Sequence, residues 1–375
     1  MTDLITLRQT LHQYPERSGA EEQTAARITQ LLEQTTPREL LTGIAGHGIL
    51  ARYGSGDGPS ILLRAELDAL PIRELSDIPH ASAVPGTAHL CGHDGHMTIL
   101  FGAAERIARR QEDLPGSVSV LFQPAEETGQ GAAACLADPV FHERGFDLVF
   151  ALHNVPGYDE GAVLLREGSF AMASVGMDAV LTGHTSHAAE PELGNSPVPA
   201  LIDLAQTVMR LPEAASSHDA RAITTVIHML AGSEAFGTTP GDARLLATLR
   251  TDSNSFMAVM KEQMSRALAL QGERYRLETE LAWKEEFPAA VNDPRAAALV
   301  SQAVSDSGLT LQELEQPFPW SEDFAHFTQH FPGALFGLGS GRDQPHLHSG
   351  YYDFPDGLIE PAVELFVRIV ELGMA

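Results

Sequence analysis

The sequence predicts an α/β protein: a catalytic domain with a mostly parallel central sheet flanked by helices, and an inserted β-α-β-β-α-β unit. Four apolar runs of strand length each end at a residue able to bind metal or exchange a proton, as at the carboxyl edge of an open α/β sheet. Between residues 176 and 286 the predicted elements follow the order strand, helix, strand, strand, helix, strand. That order is typical of a ferredoxin-like unit.

Length and charge restrict the classes of function. A chain of 375 residues predicts about two domains. We place the catalytic domain at residues 1–175 and 287–375, and the inserted lid and dimerisation domain at 176–286. A net charge of -26 opposes binding to nucleic acid or to an anionic membrane. Without a signal peptide or spanning segment, the sequence predicts a cytoplasmic protein, and two cysteines provide no disulfide framework.

The first part of the chain predicts two helices and then a buried strand. Apolar residues recur at helical spacing from residue 2 to 34, and the segment 14–19 interrupts them with a turn. The apolar run 60–67 predicts a buried strand that ends at Asp68. Glu66 and Asp68 share one face of that strand because strand side chains alternate.

The stretch 86–96 is the segment richest in potential metal ligands. Cys91 and His93 stand in a glycine-flanked loop, and the apolar run 97–108 predicts the helix that anchors it. Thiolate and imidazole are ligands that suit zinc, manganese, nickel or cobalt. A single Cys-x-His pair by itself favours a buried cysteine beside a helix capped by Asp94 over a metal site, so further ligands must come from elsewhere.

Three later strands supply such ligands. The strand 117–122 is followed by Glu126 and Glu127, the strand 146–152 stops at His153, and the loop after the strand 334–338 contains His348 as well as His346. Two metal ions could be held if one ligand bridges them, and a thiolate or a carboxylate can bridge. The potential ligands are Cys91, His93, Glu127, His153 and His348. Two clamped metals activate water for amide hydrolysis, and Glu126 is then placed as the general base.

The segment from 177 to 283 predicts the inserted unit, and the catalytic domain resumes near residue 293 with helices at 296–306 and 358–372. The elements predicted within the insertion are strands at 177–181, 222–230, 243–250 and 275–283, and helices at 197–211 and 255–270.

Seven motifs in unbroken order resemble the M20 family of metallopeptidases, and within it the amidohydrolases that act on N-acyl amino acids, such as hippurate hydrolase. The motifs occupy residues 7–16, 64–72, 91–96, 122–127, 187–191, 322–324 and 347–353. The resemblance runs nearly end to end. It implies a metal-dependent enzyme that releases a carboxylic acid and a free amino acid from a small-molecule N-acyl amino acid.

The resemblance also implies roles for single residues. Cys91 would bridge two divalent ions (zinc, manganese, nickel or cobalt), Glu126 would be the general base, and Asp68 would orient a ligand imidazole. His187 of the insertion would reach the partner subunit's site and stabilise the tetrahedral oxyanion, within a homodimer or homotetramer assembled through the insertion. His93 and His153 would then bind one ion, and Glu127 and His348 the other.

Alternatives remain beside this interpretation. A dipeptidase or aminopeptidase of the same fold would need acidic groups for a free α-amine, a catalytically silent ligand-binding relative would have lost Glu126 or a metal ligand, and His187 could simply cap a turn. The chain also departs from the family pattern at Glu66, where Asp is usual, at Ser196, where Asp is usual, and at Gly237, where Asn is usual. These departures predict an unusual pocket for the acyl group or the carboxylate.

Overall fold

The structure of the protein, a computed structural model, describes residues 2–54, 58–142 and 144–375, and at residue 142 the backbone alone. The helices are α1 Leu4–Gln13, α2 Glu22–Glu33, α3 His93–Ala108, α4 Gly131–Ala137, α5 Pro139–His142, α6 Val198–Arg210, α7 Asn254–Tyr275, α8 Pro294–Ser307, α9 Ala325–His330 and α10 Ile359–Gly373. The strands are β1 Glu39–Ile44, β2 Gly48–Gly54, β3 Ser60–Glu66, β4 Ser117–Gln123, β5 Leu148–Val155, β6 Val163–Leu165, β7 Gly168–Ala171, β8 Ala173–Thr182, β9 Ala222–Ala231, β10 Asp242–Thr251, β11 Glu278–Phe287, β12 Ala290–Asn292, β13 Leu311–Glu313 and β14 Gly333–Gly339.

The chain divides into two compact units. The first contains Met1–Phe170, Ala290–Gln316 and Glu322–Ala375, and the second contains Ala171–Ala289 together with Pro317–Ser321. The sequence placed the inserted domain at 176–286, whereas the compact unit begins at Ala171, where β8 is about to start, and takes in a short later segment.

The first unit is built on an eight-stranded sheet of order β1-β2-β4-β3-β5-β14-β6-β13. Its four central strands, β4, β3, β5 and β14, run parallel, while the β1–β2 hairpin continues the sheet with antiparallel pairing. The predicted fold class, a mostly parallel central sheet flanked by helices, is therefore confirmed. Parallel pairing brings the carboxyl ends of the central strands to one edge, which is where the predicted ligands lie.

The central parallel strands are apolar because both faces of the sheet are covered. Every residue of β4, β5 and β14 is buried, as expected for a sheet whose two faces are both covered. The helix α3 packs against α1, α10 and β3. Its first twelve residues are all buried, and most of those from Met97 onward are apolar, as expected for a helix covered on every side. Among the described residues, no helix combines the length and apolar character needed to cross a membrane.

Local capping residues set the two ends of α8, the first helix of the catalytic unit after the insertion. The Asp293 carboxylate accepts hydrogen bonds from the backbone N–H groups of Arg295 and Ala296, and Pro294 occupies the first helical position of α8. At the other end Gly308 adopts φ +69, the left-handed conformation that closes a helix.

The second unit is a four-stranded antiparallel sheet of order β11-β8-β10-β9. Its helices α6 and α7 pack on one another and on this sheet, and they bury Leu204, Val208, Met260 and Met264. Strands β9 and β11 are the two edges of the sheet. The element order β8-α6-β9-β10-α7-β11 is the one that the sequence predicted.

Three expectations from the sequence were wrong in detail. The strand β5 does not stop at His153 but continues to Val155, so this histidine is a strand residue. The helix α3 begins at His93 rather than at residue 97, so His93 is the first helical residue rather than part of a loop. The β1–β2 hairpin was not predicted, because its glycines at 43, 46, 48 and 54 break up the apolar pattern.

Candidate metal centre

Glycine at position 92 allows the cysteine and histidine donors to approach the sheet edge. Gly92 caps α3 with φ +96, a left-handed conformation that favours glycine. A Cβ atom there would lie 2.3 Å from the Oδ1 atom of Asn154 on β5. The close contact between this turn and β5 brings Cys91 Sγ to 3.5 Å from His153 Nε2.

Five side chains form two overlapping groups. The donor atoms of Cys91, His93 and His153 lie within 4.8 Å of one another, and the same holds for those of Cys91, Glu127 and His348. Cys91 is the member that the two groups share. Across the two groups His93 Nε2 is 3.9 Å from Glu127 Oε1, and within the second group His348 Nε2 is 3.8 Å from Glu127 Oε2.

This donor set fits metal ions rather than an internally satisfied polar cluster. Within the described chain, His93 Nε2 and Glu127 Oε1 are buried and have no hydrogen-bond partner. Buried polar atoms without partners destabilise a protein unless something else binds them. A thiolate, three imidazoles and a carboxylate are ligands for zinc, manganese, nickel or cobalt, so the residues present could hold two such ions.

The electrostatics of the metal-free protein point the same way. Burial raises the pKa of Cys91, and the nearby Glu127 and Glu126 carboxylates raise it further. Burial lowers the pKa of His153 to about 3, so this imidazole is neutral and keeps a lone pair for a metal. Burial also opposes charge on His93, but Asp68 and the neighbouring glutamates outweigh burial and raise the pKa of His93 to about 10. A bound cation would offset the negative charge of these buried carboxylates.

Asp68 supports the centre differently from the sequence expectation. The His93 Nδ1 atom is hydrogen-bonded to the backbone carbonyl of Asp68 at 2.8 Å, whereas the Asp68 carboxylate lies 3.7 Å away, beyond hydrogen-bond distance. The carboxylate instead accepts hydrogen bonds from Ser18 Oγ at 2.6 Å and from the Glu127 backbone N–H at 3.0 Å. Asp68 thus contacts one predicted ligand through its backbone and another through its side chain.

Glu126 is buried beside the predicted ligands. Its Oε2 atom lies 3.9 Å from His93 Nε2, and its Oε1 atom accepts a long hydrogen bond, 3.4 Å, from the backbone N–H of Asp323. Burial raises the pKa of Glu126 well above the usual range, and the carboxylates of Glu322 and Glu127 reinforce this. A carboxyl group whose charged form is disfavoured is disposed to accept and hold a proton near neutral pH.

A buried arginine organises the acids behind Glu126, and the sequence interpretation missed it. The Arg64 guanidinium pairs with both oxygens of Glu322 at 3.0 Å and also with Asp323 and Glu66. Glu66 in turn contacts His96 Nδ1 at 2.7 Å. The departure from Asp to Glu at position 66 therefore lies in a network of ion pairs behind the predicted ligands. The motifs at 64–72 and 322–324 contain its members, but the pairing between them could not be predicted because the two segments lie far apart in the chain.

The loop after β14 distinguishes His348 from His346. His348 adopts φ +64, and its backbone N–H donates to the Leu90 carbonyl at 2.9 Å, next to Cys91. Histidine tolerates this left-handed conformation better than most residues. Both side chains are exposed, and the His346 Nδ1 atom contacts the carbonyl of Leu347. Of the two histidines, His348 is thus the one grouped with Cys91 and Glu127.

His187 belongs to the second unit. Its side chain is exposed, and its Nδ1 atom accepts a hydrogen bond from the Ala189 backbone N–H at 3.1 Å. The next residue, Ala188, donates its N–H to the Gly237 carbonyl at 3.0 Å, so one departure from the family pattern lies beside this histidine. Ser196, another departure, lies just before α6, and its hydroxyl accepts a weak bond from the Val198 N–H.

The model of Peptidase family M20/M25/M40 matches residues 62–372. This chain belongs to that family. The matched segment includes every predicted metal ligand and Glu126, and it contains the whole inserted unit.

Relatives in this family include amide hydrolases of known structure or activity. The chain is 31% identical over 352 residues to an N-acetylcysteine deacetylase of Bacillus subtilis, covering 93% of this chain and 91% of that protein. A second deacetylase of the same organism, for N-acetyl-L-cysteine, is 32% identical over 92% of this chain and 82% of its own length. The solved YXEP protein of Bacillus subtilis, a dinuclear metal binding peptidase from the M20 family, superimposes with a TM-score of 0.85 at 27% identity over 99% of this chain and 97% of its own. The protein is thus a metal-dependent amidohydrolase.

Proposed function

We propose that this enzyme hydrolyses the amide bond of N-acyl amino acids and releases a carboxylic acid and a free amino acid. The observation that carries the proposal is the pair of donor groups that share Cys91, because such a pair suits two adjacent divalent ions. The two deacetylases that match over nearly the whole chain support this substrate class.

In this proposal His93 and His153 would hold one ion, Glu127 and His348 would hold the other, and Cys91 would be available to both. Bound there, the two ions would polarise the amide carbonyl and lower the pKa of the attacking water. Glu126 accepts the proton of that water and delivers it to the nitrogen of the leaving amino acid. The backbone carbonyl of Asp68 fixes the orientation and tautomer of His93.

The arrangement of acids favours an acyl substrate over a substrate with a free α-amine. An aminopeptidase needs carboxylates that are free to hold an ammonium group. Near Glu126 the acids Glu66, Glu322 and Asp323 are already paired with Arg64. This pairing leaves them poorly suited to bind a substrate cation.

A matched pair of substrates tests the proposal. N-acetylcysteine and glycylcysteine differ only in that the second carries an amino group in place of one hydrogen on the methyl carbon of the acetyl group. We expect kcat/KM for N-acetylcysteine to exceed that for glycylcysteine by at least about 10-fold, because a buried ammonium without a partner is strongly disfavoured. Measurement of amino acid release from both compounds, and from N-benzoyl and longer N-acyl analogues, gives the preference. Faster release from the dipeptides would instead identify a dipeptidase, and metal-free enzyme is the blank.

We further propose that the second unit assembles a homodimer or homotetramer through the edge strand β9. The other edge, β11, carries Glu278, Glu280, Glu285 and Glu286, and these charges would repel a second copy of the same strand. In contrast, β9 exposes Ile223, Ile227, Met229 and Leu230. A self-complementary edge of this kind suits a two-fold axis.

In such a dimer, His187 would serve the site of the partner subunit. Mixing inactive Glu126→Gln protein with inactive His187→Ala protein should then restore activity, because each hybrid dimer has one site with both residues intact. With free subunit exchange, about one quarter of all sites would be complete. No recovery after exchange proven by mass-tagged subunits, or a monomer at assay concentration, would contradict the role of His187 between subunits.

A further inference from the structure

The turn that presents Glu126 and Glu127 begins with a strained residue. Ala125 adopts φ +54, a left-handed conformation that residues with a Cβ atom rarely adopt. The turn closes through hydrogen bonds from Gly129 N to the Glu126 carbonyl at 2.7 Å and from Gly131 N to the Ala125 carbonyl at 3.1 Å. Because Ala125 directly precedes the two glutamates, its conformation sets the direction in which both carboxylates leave the backbone.

A fully buried carboxylate from the start of α2 holds this residue. Glu21 Oε1 accepts hydrogen bonds from the Ala125 backbone N–H at 2.9 Å and from the Gly19 backbone N–H at 2.9 Å. Glu21 has no solvent exposure. Among the described residues no cation forms a salt bridge with it, and the carboxylate of Asp68 is a neighbouring charge. A carboxylate buried beside another acid destabilises the fold. We therefore expect the two hydrogen bonds that Glu21 accepts to serve a function other than stability.

The loop between α1 and α2 also contacts Asp68, the residue that binds the backbone of Glu127. Ser18 Oγ donates a hydrogen bond to Asp68 Oδ2 at 2.6 Å, and that oxygen accepts the backbone N–H of Glu127 at 3.0 Å. The segment between α1 and α2 therefore binds the Ala125 N–H directly through Glu21, and it contacts the acceptor of the Glu127 N–H, Asp68, through Ser18. Neither Ser18 nor Glu21 is among the predicted ligands.

We propose that Glu21 is a positioning residue for the general base: its hydrogen bond to the Ala125 N–H keeps that residue left-handed and so fixes the direction of the Glu126 carboxylate. Without it, Ala125 relaxes to an ordinary conformation and Glu126 shifts relative to the reacting amide. This role of Glu21 rests on the proposed role of Glu126 as the general base, and it adds a residue that orients the Glu126 carboxylate.

Substitution of Glu21 separates positioning from folding. We expect Glu21→Ala to lower kcat about 10- to 100-fold, the scale of a misplaced catalytic group, while KM stays within about 3-fold and bound metal is unchanged. Glu21→Gln should keep kcat within about 3-fold, because its amide oxygen can accept the same N–H groups. A loss of kcat in Glu21→Gln as large as in Glu21→Ala would contradict a role based on the hydrogen bond.

Glu16 provides a matched control in the same loop. Its carboxylate accepts the backbone N–H groups of Gln23 and Thr24 at 3.1 and 2.7 Å, so it caps α2 without contacting the turn at Ala125. Glu16→Ala should lower the melting temperature but leave kcat unchanged. An equal loss of kcat in both alanine variants would show that only the stability of this loop matters, and would overturn the inference.

Hydrogen exchange in metal-free protein gives a readout that does not depend on activity. Peptides covering residues 122–131 should exchange faster in Glu21→Ala than in wild type, and at the wild-type rate in Glu16→Ala. Unchanged exchange in Glu21→Ala, or a kcat within about 3-fold of wild type, would refute the role of Glu21. If wild type hydrolyses none of the N-acyl amino acids, the proposed function fails, whereas the exchange experiment still decides whether Glu21 holds the turn.

Discussion

Glu126→Gln should bind metal as well as wild type does and lose at least about two orders of magnitude in kcat, the usual contribution of a general base. The amide is nearly isosteric with the carboxyl group and can still accept the Asp323 N–H, which is 3.4 Å away in the wild type. It cannot take up the proton of the attacking water. Steady-state kinetics with metal analysis on the same preparation provide the test.

Two comparisons make the Glu126 result specific. Burial and the Glu322 and Glu127 carboxylates disfavour the charged form of Glu126, so a neutral amide should leave the melting temperature of the metal-free protein equal or higher. Glu127→Gln, one residue along, should lose metal as well as activity, because it replaces a proposed ligand. If Glu126→Gln kept more than about a tenth of wild-type kcat, another group would have to move the proton.

Cys91→Ala should reduce bound metal from two equivalents to one or fewer in dilute metal and should nearly abolish hydrolysis. Cys91 is the donor common to both groups, so its loss removes a ligand from each ion at once. Metal titration followed by elemental analysis measures the change. In wild type, a chelator should abolish activity and added divalent metal should restore it.

The second cysteine supplies the control for this experiment. Cys135 is also fully buried, in α4, and it belongs to neither donor group. Cys135→Ala removes the same thiol from a packed interior and should keep both equivalents of metal. Two equivalents bound with unchanged affinity in Cys91→Ala would place the bridge on another ligand, with Glu127 the first to examine.

The sequence indicated where to look for the candidate centre because several of its acidic residues follow strands. Asp68, Glu126 and Glu127 come at or just after the ends of β3 and β4, and the carboxyl ends of parallel neighbours must meet. The sharing of Cys91 and the choice of His348 came from the family resemblance rather than from spacing. The role of His187 stays a prediction.

The contacts that the sequence did not indicate are those with no periodic signature. Arg64 looks like an ordinary member of an apolar strand, and its partners Glu322 and Asp323 lie on a distant segment. His93 Nδ1 is hydrogen-bonded to the backbone carbonyl of Asp68, and a backbone contact of this kind cannot be predicted from residue types. The glycines that flank His93 predict a loop, whereas in the structure Gly92 is the residue that caps the helix.

The position of β14 has a consequence for how the protein is made. In the sheet β14 lies between β5 and β6, yet those two strands are close in the chain and β14 is synthesised only after the whole inserted unit. A nascent chain on the ribosome can therefore present Cys91, His93 and His153 long before His348 emerges. Because domains complete their cores only when all their strands are available, the catalytic unit can finish folding only after β14 has been synthesised, when the insertion has had time to fold by itself.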